Sequence, residues 1–247
     1  MKYRIIIILC IMLAGFKLQA DPVKKDSLQQ IITNLNGKGL SLTLEFTGGK
    51  AHSHAVIAIW AEDMEGNYIQ TLYLSKTIAT GYFEHGSKGE GRWLPGEIRR
   101  PASLPFWAHK RGVKESDGLY MPTRDHPLPD AYTGATPMGD FKLSTKTDKA
   151  MKGKFRICME INQAFDFNEC WTNNKYPGDE QYMTSGQPSV IYSVVIDTGD
   201  PAMEYYMNPI GHGHYNGSDG KLYTNLMTLT TALKIVKAVK VKVVSDK

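Results

Sequence analysis

Three sets of residues in this 247-residue chain have types and spacings suited to chemistry. The first is Asp130-Ala131-Tyr132-Thr133-Gly134-Ala135-Thr136, which lies between a proline-marked loop and a strand. Thr136 closes it as a short hydroxyl after a Gly-Ala turn. No bulky neighbour there obstructs approach to a phosphorus centre, and Gly134 gives the backbone access to positive φ. The same residues also read as a plain tight turn, Pro129-Asp130 then Thr133-Gly134, feeding a strand at Phe141. The second set is two His-x-His pairs, His52-Ser53-His54 and His212-Gly213-His214. On extended backbone both rings of a pair project to one side, and four imidazoles from two loops suit zinc, copper or nickel. The bland alternative is a strand start (His52, His54) and a decorated glycine loop (His212, His214). The third set is Cys158 and Cys170, the cysteines that remain beyond the N-terminal apolar run containing Cys10.

Other chemistries find little support. Glu62, Asp63 and Glu65 are paired carboxylates in number, but they fall in an expected hairpin turn, where solvated charges are the rule. There is no Gly-x-Ser-x-Gly elbow, no phosphate-cradling glycine loop and no Cys-x-x-Cys. Independent catalytic activity is therefore not expected.

The first set resembles the pattern that bacterial flavin transferases recognise, Asp-x-x-Ser/Thr-Gly-Ala-Thr, in which the last Thr takes FMN through a phosphoester. All five specified positions match, with Asp130, Thr133, Gly134, Ala135 and the acceptor Thr136. The resemblance implies covalent FMN. Tyr132, Trp93 and Trp107 are then candidates to stack on its ring, and Arg92, Arg99 or Arg100 to face its phosphate.

These residues need a scaffold, and the chain supplies one from its N-terminus onward. Met1-Lys2-Tyr3-Arg4 is a positive leader, Ile5 to Phe16 an apolar run, and Leu18-Gln19-Ala20 offers a small residue for cleavage. This reads as a secretory signal peptide over 1–20, giving a mature chain from Asp21 and a periplasmic or secreted location. Setting aside Lys2, Arg4 and Lys17, 26 basic residues face 25 acidic ones, spread along the chain, so nucleic acid is not an expected partner. In Phe155 to Ile161 odd positions are apolar, so Cys158 shares a face with Arg156 and Glu160 away from the main core. In an oxidising compartment that placement favours a Cys158–Cys170 disulfide.

The remaining pattern is strand-like. Leu40–Thr47, His54–Ala61, Tyr68–Leu74, Asp140–Lys146, Lys154–Asn162 and Val190–Asp197 read as strands, with Met203–Met207 a short additional pairing. Val239, Val241 and Val243 alternating with lysines suggest a charge-protected edge strand. Short helices are expected where Leu28, Ile31, Ile32 and Leu35 form a stripe behind Asp26 or Ser27, and over Leu226–Val236. Another turn or two falls around Ala102–Lys110, weakened by Pro105. Gly81 to Pro129 mixes glycines, prolines and aromatics without a clear period. The expectation is one all-β domain over 21–247, an immunoglobulin-like β-sandwich with a long loop-rich insertion at about 81–129.

As a set, several segments are similar to a bacterial family of predicted periplasmic proteins catalogued as domain of unknown function 2271. They are Ala58-Ile59-Trp60-Ala61-Glu62-Asp63, Gly66 to Leu72, Arg92-Trp93-Leu94-Pro95, the aromatic run to Trp107, Asp130 to Thr136, and Gly211-His212-Gly213-His214. The likeness runs over roughly Leu40 to Asp197. It implies a secreted β-sandwich that works with a flavin transferase and a PepSY-type membrane reductase.

Overall fold

Alternating apolar residues carry most of the chain into strands in the computed structural model, which describes residues 28–89, 91–199 and 204–244. The expected signal peptide lies outside these residues. The strands are β1 (Gln29–Ile32), β2 (Ser41–Gly48), β3 (Val56–Glu62), β4 (Tyr68–Ser75), β5 (Tyr82–Lys88), β6 (Trp93–Glu97) and β7 (Thr133–Gly134). They continue with β8 (Phe141–Lys146), β9 (Lys154–Asn162), β10 (Val190–Asp197), β11 (Tyr205–Tyr206), β12 (Asn208–His212) and β13 (Val236–Val244). Three short helices join them: α1 (Lys76–Thr80), α2 (Pro105–Arg111) and α3 (Glu180–Ser185).

Two sheets form an all-β sandwich, ordered β1-β8-β2-β13-β11 and β12-β10-β9-β3-β4-β7, and β5-β6 is a separate hairpin. Between the sheets lie Leu42, Leu44 and Phe46 of β2, Phe141 and Leu143 of β8, Ile57 and Ile59 of β3, and Ile157, Met159 and Ile161 of β9. Phe46 and Phe141 stack at 4.9 Å. Each such side chain contributes roughly 1.5–3 kcal/mol by leaving water, so this layer holds the fold together.

The outer face of the six-stranded sheet carries a second core. Three rungs of aligned residues cross it: Glu62, Arg156 and Val195; Trp60, Cys158, Ser193 and Asn208; Ala58, Glu160, Ile191 and Gly211. The chain between β6 and β7 folds down over part of them. Leu104, Phe106, Trp107, Met121 and Leu128 pack onto Ala58, Trp60, Leu74, Cys158 and Ile191. The aperiodic insertion is thus a lid on the sheet, with the hairpin β5-β6 as its exposed extension.

Several expectations need correction. The stripe near the start is strand β1, paired parallel with β8; Ile31 is buried, while Leu28, Ile32 and Leu35 face solvent. Residues 226–236 hold no α-helix: a 3-10 turn at Ala232–Lys234 buries Ala232 and leads into β13. β13 is not an edge, because β2 pairs on one side and the two-residue β11 on the other. Pro105 does not weaken α2 but starts it at the first turn, where a missing N–H costs nothing, and Gly112 ends it at φ 73. Glu62 is not a turn residue; it closes β3 and is buried. Both cysteines are free thiols. Cys158 sits in the core under the insertion, whereas Cys170 packs against the core between the sheets. The face assigned to Cys158 is as expected, but the insertion buries it there without a bridge.

Candidate functional site at the sandwich edge

The Asp130–Thr136 stretch closes one edge of the sandwich. Asp130–Tyr132 forms a 3-10 turn and Thr133–Gly134 the two-residue strand β7, parallel to Leu74–Ser75 of β4. Its positions are held from three sides. The Ala131 carbonyl accepts from the Asn34 N–H at 2.7 Å, and the Tyr132 hydroxyl donates to both Asp148 oxygens at 2.9 Å. The Thr133 hydroxyl donates to the Asp130 carbonyl at 3.4 Å. Burial, then the Asp148 carboxylate, pushes the Tyr132 phenol up to about 12, so it stays a donor at ordinary pH.

Gly134 has a packing reason to be glycine. A Cβ there would lie 2.9 Å from Cε2 of Tyr73 and 3.3 Å from Cγ2 of Ile31. The Tyr73 ring is buried beneath it, and its hydroxyl donates to the Ala135 carbonyl at 2.8 Å. Pro137, next after Thr136, is buried. The Thr136 backbone is therefore fixed between two anchors, while its side chain is partly exposed and its hydroxyl has no hydrogen-bond partner among the described residues. The anchors thus fix the backbone that carries the hydroxyl, while no hydrogen bond engages the hydroxyl itself.

The other expected partners are not brought to it. Trp107 is fully buried, with its indole N–H on the Thr71 hydroxyl at 3.0 Å, so neither ring face is open for stacking. Trp93 is exposed on β6, paired with Lys88 toward the far end of the hairpin. Arg99 is taken by an ion pair with Asp117, and Arg100 lies over the Phe83 ring; Arg92 is exposed beside Trp93.

The histidine pairs do not form a metal centre. His54 has φ 52, so His52-Ser53-His54 is not extended and the strand geometry that would put both rings on one side is lost. His212 is aligned with Val190 of β10, and through β9 with Ile57 of β3. β12 thus stands three strands from β3 in the sheet, and His52 and His54 lie outside β3, in the turn before it. His52 lies against Phe46, and burial lowers its pKa. His212 donates from Nδ1 to the Gly213 carbonyl and stacks on Tyr223, and burial lowers its pKa too. Among the described residues no three His, Cys, Asp or Glu side chains converge as metal ligands.

The sequence reading missed the polar residues that seat the insertion. Glu160, wholly buried on β9, accepts from the backbone N–H groups of Trp107 at 2.7 Å and Phe106 at 3.2 Å, and from the Ser189 hydroxyl at 2.5 Å. Burial raises its pKa to about 7 against the opposing effect of these three donors. At the other end of α2, Lys110 donates to the Gly66 carbonyl at 2.6 Å and lies 3.7 Å from Glu62. Two carboxylates of the sheet thus grip α2 near its start and near its end. The available signal was charged residues on one face of strands whose other face is apolar, a face that the sequence pattern places away from the main core.

Comparison of the chain with protein-family models, with curated proteins and with solved structures found no match.

Proposed function

We propose that the chain is an exported electron carrier that holds FMN in phosphoester linkage to Thr136. The observation that carries this reading is the division of roles within the motif. Ala131, Tyr132, Thr133, Gly134 and Ala135 each have a structural partner, and the Thr136 hydroxyl alone among the motif's hydroxyls has none. A residue kept only for the turn would more naturally cap or pair. The Thr136 Oγ–P bond forms as the pyrophosphate P–O bond of a flavin dinucleotide donor breaks, the hydroxyl proton being lost and the nucleoside monophosphate leaving, and the bound isoalloxazine supplies the redox chemistry.

The chain's own part is to present the acceptor oxygen at a rigid sandwich edge. Trp107 and the two committed arginines take no part, so the tether, with Tyr132 beside it, positions the ring. A carrier that exchanges electrons with a membrane reductase of the PepSY type and with a later acceptor benefits from a ring carried outside a closed pocket. The alternative, a cofactor-free adaptor, draws support from the exposed Tyr82 and Trp93 of the β5-β6 hairpin.

Intact mass of the protein co-expressed with a flavin transferase separates the two. The expected result is one FMN less one water on the wild type and an unmodified Thr136→Ala protein. A full adduct on Thr136→Ala, or an unmodified wild type under these conditions, would overturn the carrier reading.

A further inference from the structure

A groove of about 710 Å³ lies on the outer face of the six-stranded sheet, beside the insertion and away from Thr136. Its floor runs from Cys158, at the margin of the area the insertion covers, to Ser193 and Val195 beyond it; Phe106, Ile210 and Leu222 also line it. The lining is mainly apolar, and Val195 and Ile210 are 41% and 38% exposed, side chains that the rest of this face would have covered. The size falls within the range of small-molecule sites.

One end of the groove is charged, and the pairing there is unusual. Glu62 and Arg156 are direct partners across β3 and β9, a position where opposite charges normally meet. Here they form no ion pair. Glu62 accepts instead from the Trp60 indole N–H at 2.8 Å and faces Lys110, which neutralises it. Arg156 is left without a carboxylate among the described residues. Of its five N–H donors only one is engaged, at 3.4 Å to the Asp63 carbonyl. The guanidinium therefore stands at the head of an apolar trough with most of its donors unspent. Gly66 keeps this end open: a Cβ there would lie 3.3 Å from Lys110 Nζ and 4.0 Å from an Arg156 nitrogen.

We infer that this groove binds a small amphipathic anion, a carboxylate on an unbranched apolar chain, with the carboxylate on Arg156 and the chain along Cys158, Val195 and Ile210. Charge decides the class. A cation would meet Arg156 and Lys110 with only the already paired Glu62 to answer them, and a neutral chain would leave the guanidinium unsatisfied. A planar carboxylate matches the guanidinium fork in two parallel hydrogen bonds. This site is independent of the flavin reading: β7, beside Thr136, is three strands removed from β9 in the sheet.

The test is calorimetric titration of the full chain with decanoate and, as the neutral control, decanol. The wild type should bind decanoate saturably at one site, and decanol more weakly by about ten- to a hundredfold, the worth of a charge-assisted pair. Arg156→Met should erase that difference without altering decanol binding. Val195→Trp, at an exposed position that tolerates size, should block both ligands, while Thr136→Ala should change neither. Absence of saturable decanoate binding to the wild type would overturn the proposal. So would decanoate affinity unchanged in Arg156→Met or in Val195→Trp. A concentration-dependent dimer that Val195→Trp disperses, with no decanoate binding, would assign the groove to a second copy and overturn it equally.

Discussion

The two faces of the six-stranded sheet are built on opposite principles. The inner face is apolar along its central strands: Ile57, Ile59 and Ala61 lie against Phe155, Ile157, Met159 and Ile161. The outer face interleaves Trp60, Cys158 and Ile191 with two buried carboxylates and an arginine. Apolar packing supplies the inner face with stability but little directional preference. The outer face adds hydrogen bonds of fixed geometry, which seat α2 at one place on the sheet. Burial by itself would let the insertion slide; Glu160 and Glu62 give it a register.

Substitutions should separate the two faces. Ile157→Ala removes inner-face packing and should cost about 2–5 kcal/mol of global stability in urea unfolding. A loss confined to the insertion would contradict the division.

The outer face should instead show a pH signature. Folded Glu160 holds its proton up to about 7, while the unfolded chain releases it near the ordinary value of 4.5. Between these values the unfolded state binds fewer protons, so this group's contribution is fully present at the acid end and is lost as pH rises through the window. The loss is up to about 3 kcal/mol. Other groups titrate nearby, so the readout is the difference between wild type and Glu160→Gln, measured by unfolding from pH 4 to 8. It should change in that window and level off above it; a flat difference would mean that Glu160 is already ionised in the fold.

A smaller effect is expected at the sandwich edge. Gly134→Ala drives a methyl against Tyr73 and Ile31 and should cost about 1–3 kcal/mol. It should also slow flavin transfer to Thr136, whereas Thr136→Ala should leave stability within about 0.5 kcal/mol. The smallest expected change is none: without a bridge between Cys158 and Cys170, reductant should not shift the melting temperature. A reductant-dependent fall would restore the disulfide.

The same contrast explains what the residue pattern could convey. β9 and β10 are readable to the residue because alternation reports which side of a strand is apolar, and nine- and eight-residue runs leave little ambiguity. Alternation says nothing about what lies beside a strand, which is why the lysine-flanked valines of β13 suggest an edge while β2 and β11 enclose it. Nor does it say what lies above a polar face. Arg156 and Glu160 look solvated in β9 because the chain that covers Glu160 comes from an aperiodic insertion some fifty residues away. Leu28, Ile31, Ile32 and Leu35 fit a helical stripe, yet Gln29–Ile32 is the strand, and only pairing with β8 decides. Within the candidate site, Asp130 to Thr136 is a contiguous string and so is visible in the sequence. Its environment is not, since Trp107, Arg99 and Arg100 depend on how the insertion folds back.

The grip on α2 also imposes an order on assembly. During synthesis Phe106 and Trp107 emerge well before their acceptor, which lies 54 and 53 residues further along the chain. Until β9 has entered the sheet, those amides can find only water, and the aromatic lid has no floor. Synthesis in the N-to-C direction therefore leaves Trp107 waiting for the second half of the protein. Its amide should never exchange more slowly with deuterium than those of β9.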